Sequence, residues 1–284
     1  MVEQRSSSLV RAQAVAPALT AACKVCAAPA RLAGSVDMNR ECSAVPFPVG
    51  MAGIAVYYYQ CAQCGLIFTD LFDDLAPDLW VKYIYNDDYY ARVDTDYKTR
   101  RPADSHELMR KICAALSKQG PVKGLDYGGG NGQLAALLRA SGIDYASYDP
   151  YDHSDPIDPA SYKATVVSVF EVLEHTTDPH GTFADVLRFG AERLVVIAST
   201  QVSDGRIEAG IASWDYITPR SGHVTIYSRA SLARLAAKFS MDYRPVTRGL
   251  HLFTRGISAD RFAGTAYRIR IKQLLAARLL ARFA

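Results

Sequence analysis

Hydrophobic spacing changes repeatedly along the second half of the chain, and each change marks an element. Val122 to Tyr127 reads as a short buried strand, and Gln133 to Ala140 as a helix whose apolar side carries Leu134, Leu137 and Leu138. Ile143 to Tyr148 reads as a second strand. Ala164 to Phe170 is an apolar, β-branched run suited to a central parallel strand. Phe183 to Phe189 suits a crossover helix, and Arg193 to Ala198 a further strand. Ser228 is placed to cap a helix through Lys238, after which Met241 to Thr247 and Leu250 to Thr254 flank Arg248-Gly249 as a hairpin. Strands alternating with helices predict an α/β fold.

The turn after the first of these strands carries the most distinctive chemistry. Gly128, Gly129, Gly130 and Gly132 lie between strand and helix, directly after Asp126 and Tyr127. Glycines there accept backbone angles that a Cβ forbids, and they open the main chain to a ligand at the positive end of the helix. A dinucleotide fingerprint, Gly-x-Gly-x-x-Gly, fails in both registers, because its third glycine falls at Gln133 or at Ala135. What the chain has is Asp-x-Gly-x-Gly-x-Gly from Asp126 to Gly132. This resembles the first motif of class I S-adenosylmethionine-dependent methyltransferases.

Two further segments extend the resemblance over about residues 104 to 255. Asp149 ends the second strand, where a carboxylate can accept hydrogen bonds from both ribose hydroxyls. Phe170 is followed by Glu171-Val172-Leu173-Glu174-His175 and Asp178-Pro179, similar to the segment after the fourth strand in many small-molecule methyltransferases. The closing hairpin also resembles the family's last antiparallel pair. The resemblance therefore implies a Rossmann-like methyltransferase sheet and S-adenosyl-L-methionine as cofactor, held by Asp126, Gly128, Gly129, Gly130, Gly132, Asp149 and Phe170. One departure stands out: Pro150 to Lys163 is too short for a crossover helix and a third strand. Either that strand is vestigial, around Pro156 to Ser161, or a loop covers the adenine edge. Asp155 and Asp158 are candidate acidic contacts there, although turn residues beside prolines read the same way.

Upstream lies a different module. Cys23 and Cys26, then Cys61 and Cys64, form two Cys-x-x-Cys pairs, a spacing that aims four thiolates at one tetrahedral ion. A zinc ribbon with structural Zn2+ is the leading reading, ahead of disulfides or redox cysteines, since no thioredoxin-like βαβ pattern accompanies the pairs. The 34 intervening residues exceed the usual ribbon spacing, and Ala27 stands where glycine is favoured. Cys42 and Cys113 are not assigned as ligands. The ribbon followed by Tyr83, Tyr85, Tyr89 and Tyr90 resembles the module preceding the catalytic domain in bacterial methyltransferases of sugars, surface polysaccharides and secondary metabolites. The tyrosines can stack on rings or pack between modules.

The layout is then an N-terminal segment, 1–20, expected to be disordered; a ribbon, 21–70; an aromatic linker, 71–103; a methyltransferase domain, 104–257; and a basic amphipathic C-terminal helix, 258–284. At 284 residues with 49% hydrophobic composition the chain can bury one α/β core beside a small metal-stabilised module. A net charge of +3 is too small to imply nucleic acid. No apolar run reaches spanning length, and Arg11 interrupts the Ala-rich start where a signal peptide needs continuity, so cytoplasmic residence is expected. The C-terminal helix suits packing on the core or a second subunit, with a membrane surface as the alternative; the sequence leaves the oligomeric state undetermined.

The sulfonium activates the methyl group, leaving the protein to align an acceptor, exclude water and remove a proton. Glu171, His175 and His223 are the candidate catalytic residues; either histidine has an alternative reading as structural. Trp214, Asp215 and Tyr216 precede His223 in a loop suited to binding a polar ring. The acceptor expected is a small molecule, a sugar or related intermediate. The alternatives are an RNA methyltransferase with a zinc module, which the charge disfavours, and a catalytically degenerate binding protein.

Overall fold

A computed structural model describes residues 18–42, 47, 49–86, 89, 91, 100–151, 157–260, 262–269 and 271. They fall into two compact units, each discontinuous in sequence. The first is drawn from Met1–Thr95, Glu174–His180 and Gln201–Arg234, and the second from Asp96–Leu173, Gly181–Thr200 and Leu235–Ala284.

The first unit is built on an antiparallel sheet of β1 (Thr20–Ala22), β2 (Pro29–Asp37), β3 (Ala55–Cys61), β4 (Ile67–Phe68) and β9 (Thr225–Ile226), in that order. β9 lies within the span 104–257 yet pairs with β4 through Ile67↔Ile226 and Phe68↔Thr225. Tyr58, Phe72, Trp80, Ile84, Trp214, Ile217 and Ile226 form its core. Helix α1 (Pro77–Tyr83) starts on a proline, which supplies a fixed φ where its missing N–H costs nothing. Of the predicted linker tyrosines, Tyr85 packs between Trp80 and Tyr89, with centroids 6.2 and 5.2 Å away. Tyr90 lies outside the described residues, as does most of the 1–20 segment; Thr20 opens β1.

The second unit holds a six-stranded sheet in the order β10-β11-β8-β7-β5-β6. β5 (Lys123–Tyr127), β6 (Asp144–Tyr148), β7 (Ala164–Phe170) and β8 (Gly190–Ser199) are parallel, and β10 (Asp242–Pro245) with β11 (His251–Arg255) closes the sheet as an antiparallel hairpin. The predicted mixed α/β sheet is thus present. Helices α2 (Arg100–Ser117), α3 (Gln133–Ala140) and α4 (Pro179–Arg188) accompany the strands. α2 buries Leu108, Met109, Ile112, Cys113 and Leu116, the stripe of a 3.6-residue period. α3 buries Leu134, Ala135 and Leu138, so Ala135 takes the core position that the periodicity assigns to Leu137. Helix α5 (Arg229–Lys238) is capped reciprocally: Ser231 N donates to Ser228 Oγ at 3.0 Å, and Ser228 N to Ser231 Oγ at 2.9 Å.

Between β6 and β7 the described residues contain no strand. Asp158 to Tyr162 form a turn, with Asp158 O accepting from Tyr162 N at 2.9 Å, and Tyr162 Oη donates to Gly124 O at 2.6 Å. β6 is therefore the sheet edge where the family pattern continues; Asp155 and Pro156 lie outside the described residues. In the C-terminal segment residues 262–269 are helical, and Phe262, Ala266 and Ile269 join the second unit's core, so that apolar face is covered by the chain's own fold. No helix among the described residues is long and apolar enough to cross a membrane.

Candidate functional site

Strand order places one site before any side chain is considered. β5 is followed by β6 on one side, while the next strand, β7, pairs on its other side. The chain leaves β5 toward β6 and leaves β7 toward β8, so the loops at the carboxyl ends of β5 and β7 run to opposite sides of the sheet, and such switch points are where open α/β sheets bind ligands.

The glycine loop fills that position. Gly128, Gly130 and Gly132 all have left-handed φ, at 72, 52 and 71°. A Cβ on Gly129 would come within 2.2 Å of Ser147 Oγ, so that residue must be glycine for packing; one on Gly130 would meet nothing within 4 Å. The backbone at Gly130 thus faces open space. Gly132 begins α3 without a side-chain cap, leaving the helix's positive end uncovered by its N-cap residue. Asp149, at the end of β6, holds the loop: Oδ2 accepts from Gly130 N at 2.9 Å and Oδ1 from Tyr151 N at 2.9 Å. Each oxygen retains a lone pair for another donor.

Asp126 lies beneath the loop, 5% exposed, with Oδ1 accepting from Ser168 Oγ at 2.6 Å. Burial pushes its carboxyl up to about 7; the Ser168 bond opposes the rise and the charge of Asp149 adds to it. Phe170, the last residue of β7, packs partly into the second unit's core. Glu171 follows with φ 54°, a left-handed angle costly for any side chain. Ser199, at the end of β8, holds it there: Glu171 N donates to Ser199 Oγ at 3.0 Å, and Ser199 Oγ donates to Glu171 Oε1 at 2.6 Å. Ser199 carries no sequence signal, because the clamp joins strands 28 residues apart.

Glu174, His175 and His223 assemble in the first unit. Their ligating atoms lie within 4.8 Å of one another. Glu174 is fully buried and His223 5% exposed. Glu174 Oε1 accepts a short hydrogen bond from Tyr216 Oη, which itself accepts from Gln201 N at 3.2 Å. His223 Nδ1 lies 2.8 Å from Tyr216 O. A carbonyl only accepts, so Nδ1 carries the proton and Nε2 the lone pair. The His175 and His223 rings meet edge to face, with centroids 5.1 Å apart, and Tyr85 flanks His175 at 6.0 Å. Gly222, φ 81°, makes the space: a Cβ there would lie 2.7 Å from His175 Nδ1.

Two readings of this region change. Trp214 and Tyr216 stack on each other at 5.2 Å and are buried, so their ring faces serve the core; Tyr216 contributes its hydroxyl and carbonyl instead. Glu174, adjacent to the predicted His175, emerges as the buried carboxylate of the cluster. His180 Nε2 contacts Val25 O at 2.9 Å, and His251 Nε2 contacts Thr200 O at 3.0 Å; both bond main-chain carbonyls.

The four paired cysteines also converge. Sγ of Cys23 and Cys64 lie 3.5 Å apart, as do those of Cys26 and Cys61, and all four fall within 4.8 Å. Four thiolates about 2.3 Å from a tetrahedral zinc would be about 3.8 Å apart, so this donor set fits that ion. The two knuckles match in backbone: Ala27 N donates to Cys23 O and Gly65 N to Cys61 O, each at 2.9 Å. Both turns need a left-handed residue, Ala27 at 58° and Gly65 at 71°. The hydrogen bond with Cys64 draws Cys23 down to about 5, toward thiolate, and raises Cys64 in turn.

A family model described as a methyltransferase domain matches residues 97–243, just over half of the chain. The chain belongs to this family. It is an S-adenosylmethionine-dependent methyltransferase, with the parallel sheet and Gly-rich loop of that class. Among solved structures, the methyltransferase is similar to the plantazolicin methyltransferase in complex with SAH, at 13% identity and TM-score 0.42, covering 60% of this chain and 92% of that one. It is also similar to magnesium protoporphyrin IX methyltransferase from Synechocystis PCC 6803 with bound SAH, at 15% identity and TM-score 0.38, covering 66% and 97%. A third is an O-methyltransferase from neocarzinostatin biosynthesis in complex with S-adenosyl-L-homocysteine and 1,4-dihydroxy-2-naphthoic acid, at 19% identity and TM-score 0.35, covering 48% and 49%. No curated protein matches the methyltransferase.

Proposed function

We propose that the methyltransferase transfers a methyl group to a small molecule in the cytoplasm, and that the acceptor is a sugar or related biosynthetic intermediate. The observation that carries the donor half is the open backbone at Gly130, set at the switch point of the sheet beside Asp149. S-adenosylmethionine supplies a methyl group already activated by its sulfonium. Asp149 has lone pairs for ribose hydroxyls, and Gly128, Gly129, Gly130 and Gly132 present main chain rather than side chain. Asp126 sets the charge beneath the loop, and Phe170 ends the strand beside it.

On the acceptor side, Glu171, His175 and His223 are the proposed catalytic residues. His223 commits its Nδ1–H to the Tyr216 carbonyl, so whatever it does in catalysis, as base or as ligand, it does through the Nε2 lone pair. The four cysteines hold structural zinc that stabilises the first unit. Calorimetry with S-adenosylmethionine and S-adenosylhomocysteine tests the donor site, and a screen for labelled methyl transfer onto nucleotide sugars tests the acceptor class. Absence of saturable binding by the zinc-loaded protein refutes the donor assignment; transfer to RNA but not to sugars refutes the acceptor.

A further inference from the structure

We propose that Glu174, His175 and His223 hold a divalent transition-metal ion, separate from the ion of the cysteine ribbon. The three ligating atoms, one carboxylate oxygen and two imidazole nitrogens, lie within 4.8 Å of one another in one compact unit. Two imidazoles and a carboxylate favour zinc, iron, manganese, cobalt or nickel over calcium and magnesium, whose sites are built from oxygens. Three protein ligands also leave coordination positions for water or an acceptor oxygen.

The surroundings are those of a ligand set. Metal-binding histidines donate their second ring N–H to a carbonyl or carboxylate, which fixes the tautomer and turns the other nitrogen to the ion. His223 does this at 2.8 Å through the Tyr216 carbonyl. The hydroxyl of the same tyrosine binds Glu174 Oε1. One buried residue therefore orients two of the three ligands, and it is anchored in turn by Gln201 N. Gly222 leaves the third its space, since any side chain there would press on His175 Nδ1.

The test needs neither methyl donor nor acceptor. Zinc-loaded full-length protein is titrated with Co2+ and followed by visible absorption, with metal content measured after desalting. The expected result is about one cobalt per chain beyond the ribbon ion, with nitrogen/oxygen-type d–d bands and no thiolate charge transfer. Glu174→Gln and His175→Ala lower cobalt affinity by at least about 100-fold, and Tyr216→Phe, which touches no metal, by about 10- to 100-fold. Circular dichroism verifies folding, and if Glu174→Gln unfolds, the other two variants carry the comparison. No cobalt beyond the ribbon ion, thiolate bands, or folded variants that bind like wild type would overturn the assignment and leave a metal-free Glu–His pair. Donor calorimetry on the same sample separates this outcome from failure of the methyl-transfer reading.

Discussion

Replacing Asp126 by asparagine removes a charge that the fold holds at a cost while keeping the oxygen that accepts from Ser168. Burial raises the Asp126 carboxyl from 3.8 to about 7. The folded state therefore binds a proton more tightly than the unfolded chain, and between about pH 4 and about pH 7 stability must fall as pH rises. At about 1.36 kcal/mol per tenfold change in proton affinity, the whole displacement corresponds to a ceiling of about 4 kcal/mol. Linkage puts about 2 to 3 kcal/mol of that loss between about pH 5 and about pH 8.

Asparagine does not titrate, so Asp126→Asn should be insensitive to this term. The assay is urea unfolding of wild type and variant in parallel across that range. Because only the difference is used, other titrating groups cancel to the extent that the substitution leaves them unchanged. The variant should gain about 2 to 3 kcal/mol relative to wild type on going from about pH 5 to about pH 8. A difference that stays flat would refute the reasoning, because it would mean that Asp126 ionises at its ordinary value and that the loop's amides already compensate its charge.

Other perturbations address the remaining parts. Ala27→Gly should stabilise the first unit by about 0.5 to 1 kcal/mol, because relief of the left-handed alanine exceeds the entropy that glycine adds to the unfolded chain; thermal melting with zinc present checks this. Gly130→Val should cost about 1 to 2 kcal/mol of stability yet abolish S-adenosylmethionine binding by calorimetry, and unchanged affinity would displace the donor from this loop. Chelation of the ribbon ion should eliminate methyl transfer while calorimetry still detects donor binding, because the cysteines and the Gly-rich loop belong to different compact units. Loss of both activities together would show that the second unit does not hold its fold without the first.

What the sequence made legible was whatever depends on neighbours in the chain. Strand β7 and helix α3 have the bounds that their apolar patterns predict, Ala164–Phe170 and Gln133–Ala140. The glycine loop and both cysteine pairs were equally visible, since a short turn dictates each. Contacts between distant segments left no such trace. Ser199 serves Glu171 across 28 residues, and Tyr216 serves Glu174 across 42. The pattern Thr225-Ile226 is too short to mark a strand, and nothing local says that it pairs with Ile67-Phe68. Trp214 and Tyr216 were misread for a related reason: an aromatic pair in a loop looks the same whether its rings face a ligand or stack in a core.

That β4–β9 pairing bears on what the cysteine module is for. The second cysteine knuckle leads directly into β4, and β9 begins two residues after His223. Tyr58 Oη, from β3, donates to His223 O at 2.8 Å, and Ser228 Oγ, just beyond β9, donates to Cys64 O. Gly65 fits against Ser228 so closely that a Cβ would sit 3.1 Å from it. His223 is thus held by the Tyr58 side chain from β3, and the segment that follows it through β9 is tied by Ser228 to the Cys64 carbonyl. A two-residue strand cannot keep its register alone. With zinc bound as proposed, the four thiolates, remote in sequence from the histidines, would supply the rigidity that a short strand pair lacks, and the cysteine module would then be the scaffold of the Glu174–His175–His223 cluster rather than an independent appendage.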